Sequence, residues 1–200
     1  MREPWHRRCV LGNAGFDLLH ELDLAWLDDS EILPRTGRAL LVANTRALWP
    51  IFLAARAADP ALLASPDPLD AYTEQTLARA FPGAPMWFAH RKYDGVYLPF
   101  QRIAVAAGLG VLAPTQLVIH PVYGPWFGLR ALVALDGDPP PHAPRLAYHC
   151  TGDCAARLAQ TSDSWRSWLA VRDACYVGRD YRYGEAQLAY HYTKDPDLLR

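Results

Sequence analysis

The sequence predicts a mixed fold, of the α+β or α/β class, in which helices alternate with a few strands. Several segments repeat apolar residues at helical spacing, whereas short apolar runs such as residues 39–43 have the length of buried strands. The chain has 200 residues, of which 51% are hydrophobic and 20% are charged. This size and composition are sufficient for the core of one domain, which we predict to span residues 1–200.

The first half of the chain contains both kinds of pattern. Residues 16–27 fit either a short helix or a strand followed by a turn, and residues 39–43 fit a buried strand. Apolar spacing predicts a helix at 48–58. A further helix is predicted at 68–80, because Asp67-Pro68 places a capping acid before a proline in the first helical position.

The second half continues the alternation. Short apolar runs predict strands at 86–89, 116–119 and 126–135. Apolar periodicity predicts helices at 98–107, 145–160, 165–174 and 184–190. The proline-rich stretch 136–144 predicts an exposed connection within the single domain.

Charge and hydropathy argue against a nucleic-acid-binding protein and against a membrane-spanning one. Lys and Arg number 20 against 21 Asp and Glu, so net charge gives no case for nucleic-acid binding. No run approaches the roughly 18 apolar residues of a membrane span. The first residues lack the apolar segment of a signal peptide. We therefore expect a cytoplasmic protein, monomeric or homodimeric, with reduced cysteines.

The segment 118–135 is the one around which we expect the rest of the chain to be organised. Its turn, His120–Pro125, contains two prolines and one glycine, which restrict the backbone between two predicted strands. Arg130 follows in an otherwise apolar run, where an unpaired charge is costly. It is either a strand-edge arginine paired with a carboxylate or a residue kept for function.

Two further clusters lie near the end of the chain. Trp165, Trp168 and Arg172 are three and four residues apart and share a helical face, although Arg172 could also form a surface pair with Asp173. In the second cluster, residues 181–183, two tyrosines flank an arginine that could stack on a planar ligand. Helical tryptophans are more often core than ligand platforms.

The sequence offers no recognisable hydrolytic or metal-binding motif. Cys150 and Cys154 are in C-x3-C spacing, with Cys175 further on, which is not typical of a metal site. We therefore predict no metal site. Scattered arginines and aromatic residues are more typical of a site built around an organic cofactor.

Three motifs together resemble the CblC family of vitamin B12-processing proteins. Residues 120–130, HPVYGPWFGLR, resemble its H-P-x-F-G-G-W-F-x-x-R-G segment. Residues 165–174 are similar to W-R-D-W-x-x-R-D-A, and residues 182–190 to R-Y-S-E-E-Q-K-A-Y. The order and spacing agree from about residue 16 onward. The resemblance implies a modified nitroreductase-like (flavin reductase-like) fold, with an antiparallel sheet flanked by helices.

The resemblance also implies a function. Family members hold cobalamin in a base-off form and remove its upper ligand, passing alkyl groups to glutathione or releasing cyanide reductively with a flavin such as FMN. The implied catalytic residues, which hold glutathione, are Arg130 and Arg172. The implied cofactor-binding residues are His120, Tyr123, Gly124, Trp126, Phe127 and Tyr183.

Some positions depart from the family pattern. A third family arginine aligns with Leu198, so Lys194 or Arg200 would have to replace it, and a family histidine aligns with Val105. Two alternative functions therefore stay open: an FMN-dependent nitroreductase-like oxidoreductase, and a non-catalytic cobalamin carrier. Residues 104–110 and the turn also resemble epoxyqueuosine reductase, but its cysteine-cluster motifs are missing.

Overall fold

The computed structural model describes residues 4–27, 32–142, 146 and 154–199. Its strands are β1 (Leu18–Asp23), β2 (Arg38–Asn44), β3 (Met86–Phe88), β4 (Lys92–Tyr93), β5 (Val96–Tyr97), β6 (Val111–Leu112), β7 (Val118–Ile119) and β8 (Gly128–Leu135). Its helices are α1 (Pro4–Asn13), α2 (Leu48–Ala58), α3 (Pro60–Leu63), α4 (Pro68–Ala80), α5 (Phe100–Ala106), α6 (Cys154–Leu158), α7 (Trp165–Asp173) and α8 (Glu185–Thr193).

A four-stranded sheet is the centre of the structure. Its strand order is β1-β2-β8-β3, and every neighbouring pair is antiparallel. β4 and β5 form a separate hairpin, and β6 pairs with β7. An antiparallel sheet with flanking helices confirms the predicted α+β class.

Helices cover both faces of the sheet because strand residues alternate between two apolar cores. On one face Leu41 and Leu132 pack with α5 residues such as Ile103. On the other face Val42 and Val133 pack with residues from α1, α2, α4 and α8. The inner strands β2 and β8 are therefore buried on both sides.

A β-bulge interrupts the pairing of β2 with β8. Val42 lies opposite Ala131 and Ala43 lies opposite Leu129, which leaves Arg130 as the extra residue of β8. Leu129 and Leu132 contact the same core although they are three residues apart, where a regular strand requires an even spacing. The bulge thus removes Arg130 from the regular alternation of the strand.

The predicted elements differ from the structure mainly at their ends. For residues 16–27 the strand alternative is confirmed, since β1 is followed by the 3-10 helix Leu24–Trp26. The prediction that β8 begins at Trp126 was wrong, because the turn continues to residue 127. α1, β6 and the β4–β5 hairpin were not predicted. Half of the helix predicted at 145–160 lies outside the described residues, and the other half includes α6.

None of the helices in the described parts of the chain combines the length and the apolar character needed to cross a bilayer.

Candidate functional site

A cavity of about 860 Å³ lies beside β8. Its wall combines residues of β8, α7 and α8 with the first turn of α4, the start of α5 and the segments next to β3, β5 and β7. This volume is at the upper end of the range of about 300–1,000 Å³ for small-molecule sites. Four residues predicted from the sequence line it: Phe127, Arg130, Arg172 and Tyr183.

Arg130 is the most buried cation of the cavity wall, with 8% of its surface exposed. Its Nε donates to Asn44 Oδ1 at 2.6 Å, while its Nη2 is buried without a hydrogen-bond partner. Burial lowers the pKa of Arg130. The alternative of a strand-edge arginine paired with a carboxylate is wrong, because β8 is an inner strand and the partner is an amide.

Arg172 reaches the cavity from the last turn of α7. Its Nη2 donates to the carbonyl oxygen of Pro125 at 2.5 Å, and its Nε is buried without a partner. The guanidinium carbon lies 4.7 Å from the ring centre of Trp126 and 5.5 Å from that of Tyr183. The surface pair with Asp173 is not formed, since Asp173 accepts from Arg182 instead.

Buried polar atoms without partners are concentrated at this site. Seven such side-chain atoms occur within the described residues, and four belong to residues of the cavity wall: Arg130, Arg172, Tyr183 and His191. Native proteins rarely leave such groups unpaired, so a cluster of them indicates a place for a polar ligand or for water. Two of the four atoms are guanidinium nitrogens, which favours an anionic ligand.

The Tyr183 hydroxyl adds a neutral group to this cluster. Burial raises the pKa of Tyr183 to about 12, even though Arg172 and Arg130 lower it. The hydroxyl therefore stays protonated at neutral pH and can donate as well as accept.

The other four predicted residues lie in or beside the turn and do not line the cavity: His120, Tyr123, Gly124 and Trp126. The backbone groups of His120 and Gly124 bond to each other in both directions at 2.9 Å. The His120 Nδ1 accepts from the amides of Val122 and Tyr123 at 3.0 and 3.1 Å. Through Pro125 the turn positions Arg172. The assignment of these four residues to cofactor binding stays a prediction.

The buried histidine of the turn gives a testable dependence of stability on pH. Burial, with a smaller contribution from His20, lowers the pKa of His120 from 6.5 to about 4. The His120 imidazole therefore binds a proton more tightly in the unfolded chain than in the folded one. The contribution of neutral His120 to stability is complete above pH 6.5 and is lost as the pH falls toward about 4. The full shift corresponds to about 3 kcal/mol, and solvent screening of the partly exposed ring reduces it to about 1 kcal/mol.

Denaturant unfolding at pH 7 and at pH 4.5 measures this effect. The control is His120→Asn, which keeps an acceptor for the two amides but does not titrate. We expect a smaller loss of unfolding free energy in the variant than in the native chain. Equal losses in both proteins would contradict the assignment to His120.

Sequence reasoning missed several residues of the cavity wall. His191 lines it from α8, and His90 lines it from the segment after β3, whereas Lys194, also in the wall, was already expected as a replacement for the third family arginine. The His90 ring lies between Glu74, 2.8 Å from its Nε2, and Asp70, 3.6 Å from its Nδ1. The spacing of residues 187, 191 and 194 places three polar side chains on one helical face, a signal that was available in the sequence.

The cysteines show no cluster in the described residues. Cys154 is buried and Cys175 is partly buried, while Cys150 lies outside the described residues. Within those residues no group of three or more His, Cys, Asp or Glu side chains could hold a metal ion.

Known proteins resemble the chain in part of its sequence and in its fold. No protein-family model matches it. A human protein named cyanocobalamin reductase / alkylcobalamin dealkylase is 39% identical over 85 residues, a match that covers 40% of this chain and 29% of that protein. The chain thus spans less than a third of the length of this curated relative.

Solved structures extend the likeness to nearly the whole chain. The B12-trafficking protein CblC of C. elegans, a homologue of human MMACHC, matches with a TM-score of 0.70 at 16% identity, over 98% of this chain and 95% of that one. An epoxyqueuosine reductase matches over 76% of this chain and 51% of its own with a TM-score of 0.42 at 14% identity. The predicted resemblance to the CblC proteins is confirmed, and the nitroreductase-like fold that it implied is the fold of this chain.

Proposed function

We propose that this chain binds cobalamin as its substrate and removes the upper ligand, by transfer of an alkyl group to glutathione or by reductive release of cyanide with electrons from a flavin. The observation that carries the proposal is the pair of guanidinium groups in the wall of one cavity, Arg130 buried and Arg172 partly buried, each with a buried nitrogen that has no partner. The 39% identity over 85 residues to a protein named cyanocobalamin reductase / alkylcobalamin dealkylase supports it.

The chemistry of the arginine pair suits an anionic thiol. Guanidinium groups bind carboxylates through two parallel hydrogen bonds, and glutathione carries two carboxylates. Nearby positive charge also lowers the pKa of a thiol and raises its thiolate fraction. The thiolate then attacks the alkyl carbon, and the electron pair of the cobalt–carbon bond remains on cobalt. Apolar side chains such as Phe100 and Phe127 supply a wall for the corrin.

Lys194 is our candidate for the third cation of the site. Leu198, which aligns with the family's third arginine, packs against the core, and Arg200 lies outside the described residues. Lys194 lines the cavity instead, with its Nζ 3.5 Å from Asp70 and 4.0 Å from Asp67. A lysine already shared between two carboxylates would bind a further anion more weakly than an unpaired arginine.

The test is anaerobic incubation of the purified protein with methylcobalamin and glutathione. We expect a base-off corrin spectrum, followed by Co(I) and S-methylglutathione. Arg172→Ala should lower the thiol-dependent rate at least about 30-fold, because truncating a desolvated charge contact costs about 2 kcal/mol or more. An unchanged corrin spectrum at saturating protein would overturn the proposal.

A non-catalytic cobalamin carrier is the second candidate. Val105, at the position of a family histidine, is 40% exposed and does not line the cavity, and Leu198 supplies no charge. A carrier would give the base-off spectrum without S-methyl product, and Arg130→Ala and Arg172→Ala would affect no turnover.

The FMN-dependent oxidoreductase differs in its electron source. The unpaired donors of Arg130 and Arg172 would hold the phosphate of a flavin as well as a carboxylate, and a bound flavin would supply electrons. This alternative predicts a yellow purified protein that oxidises NAD(P)H without corrin.

For either enzyme reaction we place the chain in the cytosol, where thiols are kept reduced.

A further inference from the structure

His191, on α8, is a buried imidazole to which the proposed function gives no role. It lines the same cavity as the arginine pair. Its ring stacks on Tyr183, with the ring centres 5.3 Å apart and an angle of 27° between the planes. Its Nε2 is buried and has no hydrogen-bond partner. This ring nitrogen is therefore able to form a hydrogen bond with a ligand in the cavity.

Positive charge surrounds this imidazole. Burial lowers the pKa of His191 well below 6.5, and Arg130 on β8, Arg172 on α7 and Lys194 after α8 lower it further. Asp67 and Asp70 also line the cavity, but both lie within 4.0 Å of the Lys194 Nζ. His191 is thus neutral at neutral pH. Because the unpaired nitrogens of both arginines are donors, the tautomer with a lone pair on Nε2 is favoured.

We propose that His191 accepts the thiol proton of the co-substrate whose carboxylates Arg130 and Arg172 bind, a role that rests on the proposed function. The S–H proton moves to Nε2, and sulfur keeps the bonding electron pair. Sulfur then uses that pair to bond the alkyl carbon, and the electrons of the cobalt–carbon bond stay on cobalt. The imidazolium releases its proton to solvent after the product leaves.

The surrounding cations make this base dependent on the co-substrate. Without a ligand, three cations oppose protonation of the ring. Two bound carboxylates offset this repulsion, so the pKa of His191 rises on binding, although burial, the larger cause of its lowering, persists. The imidazole is therefore more basic when the thiol is in place.

Calorimetric titration in buffers of different ionisation enthalpy tests this coupling without cobalamin. S-methylglutathione has the carboxylates but no thiol proton. At pH 6.5 the native chain should take up protons on binding it, whereas His191→Phe and His191→Gln should take up none. His191→Phe keeps a ring to stack on Tyr183, and His191→Gln keeps a polar group, so the two variants separate loss of the base from loss of packing.

Glutathione itself gives the second measurement. With the native chain we expect the ultraviolet absorbance of a thiolate without net proton release, and both variants should lose this absorbance near neutral pH. Their rates of alkyl transfer should fall about 100-fold and recover as the pH rises toward the pKa of the bound thiol. His90→Gln is the matched control, because His90 lines the same cavity but already contacts Glu74 and Asp70.

The results distinguish this inference from the proposed function. Equal thiolate absorbance and equal proton uptake in native chain and variants would overturn the role of His191 alone, provided that the native chain still forms S-methylglutathione. Absence of glutathione binding to any of the proteins would overturn both the role of His191 and thiol-dependent dealkylation.

Discussion

Arg130→Met is expected to weaken glutathione binding at least about 30-fold while leaving the free energy of unfolding nearly unchanged. The binding loss corresponds to about 2 kcal/mol or more, typical of a desolvated charge contact. Stability changes little because two effects oppose each other. Removing a buried charge without a carboxylate partner is favourable, whereas leaving Asn44 Oδ1 unpaired costs about 1–3 kcal/mol.

The two quantities are measured by calorimetric titration with glutathione and by denaturant unfolding. The control is Arg182→Met. This guanidinium also lies near the Trp126 ring, at 5.7 Å, but it is paired with Asp173 at 2.7 Å and Glu185 at 2.6 Å. We expect the control to bind glutathione within about threefold of the native chain. Equal loss of binding in both variants would show that Arg130 is not a specific contact.

Gly124→Ala is expected to cause the largest loss of stability, at least about 3 kcal/mol. Gly124 has a φ of 55°, and a Cβ there would lie 1.9 Å from the carbonyl oxygen of Val177. The contact is reciprocal, because a Cβ on Gly178 would lie 2.2 Å from the carbonyl oxygen of Tyr123. Both obstacles are backbone atoms, so a side chain cannot rotate away to relieve the clash.

Gly83→Ala separates the clash from the backbone strain. Gly83 has a φ of 78°, but a Cβ there meets nothing within 4 Å. It should therefore cost only the strain of a left-handed conformation, about 1–2 kcal/mol. Denaturant unfolding of both variants at pH 7 gives the comparison. If Gly124→Ala lost no more unfolding free energy than Gly83→Ala, the backbone at residues 123–124 and the backbone at residues 177–178 would separate easily.

Local sequence patterns singled out the two arginines that line the cavity, whereas their role in binding glutathione came from the family resemblance and stays a prediction. Arg130 drew attention because a charge in an apolar run is costly, and that reasoning depends only on neighbouring residues. Helical spacing grouped Arg172 with Trp165 and Trp168 on one face, and this spacing is also a local property of the sequence. The sheet strands β2, β3 and β8 could be predicted for the same reason, because their apolar runs are short and dense.

The rest of the site depends on contacts between distant parts of the chain. Arg172 bonds to Pro125, which is 47 residues away, and no local pattern contains that contact. His191 was missed because its significance comes from cations on other elements. Residues 126–127 were assigned to a strand because they begin an apolar run, but packing of Trp126 against Tyr183 holds them in the turn.

The extra residue in β8 lets this scaffold change its chemistry independently of its folding. A side chain at position 130 can be exchanged without moving the leucines on either side into the opposite layer. Deleting Arg130 would make the pairing of β2 with β8 regular. It would remove both the guanidinium group and the bulge that positions it. The residue that faces the cavity and the residues that form the core are thus different residues of the same strand.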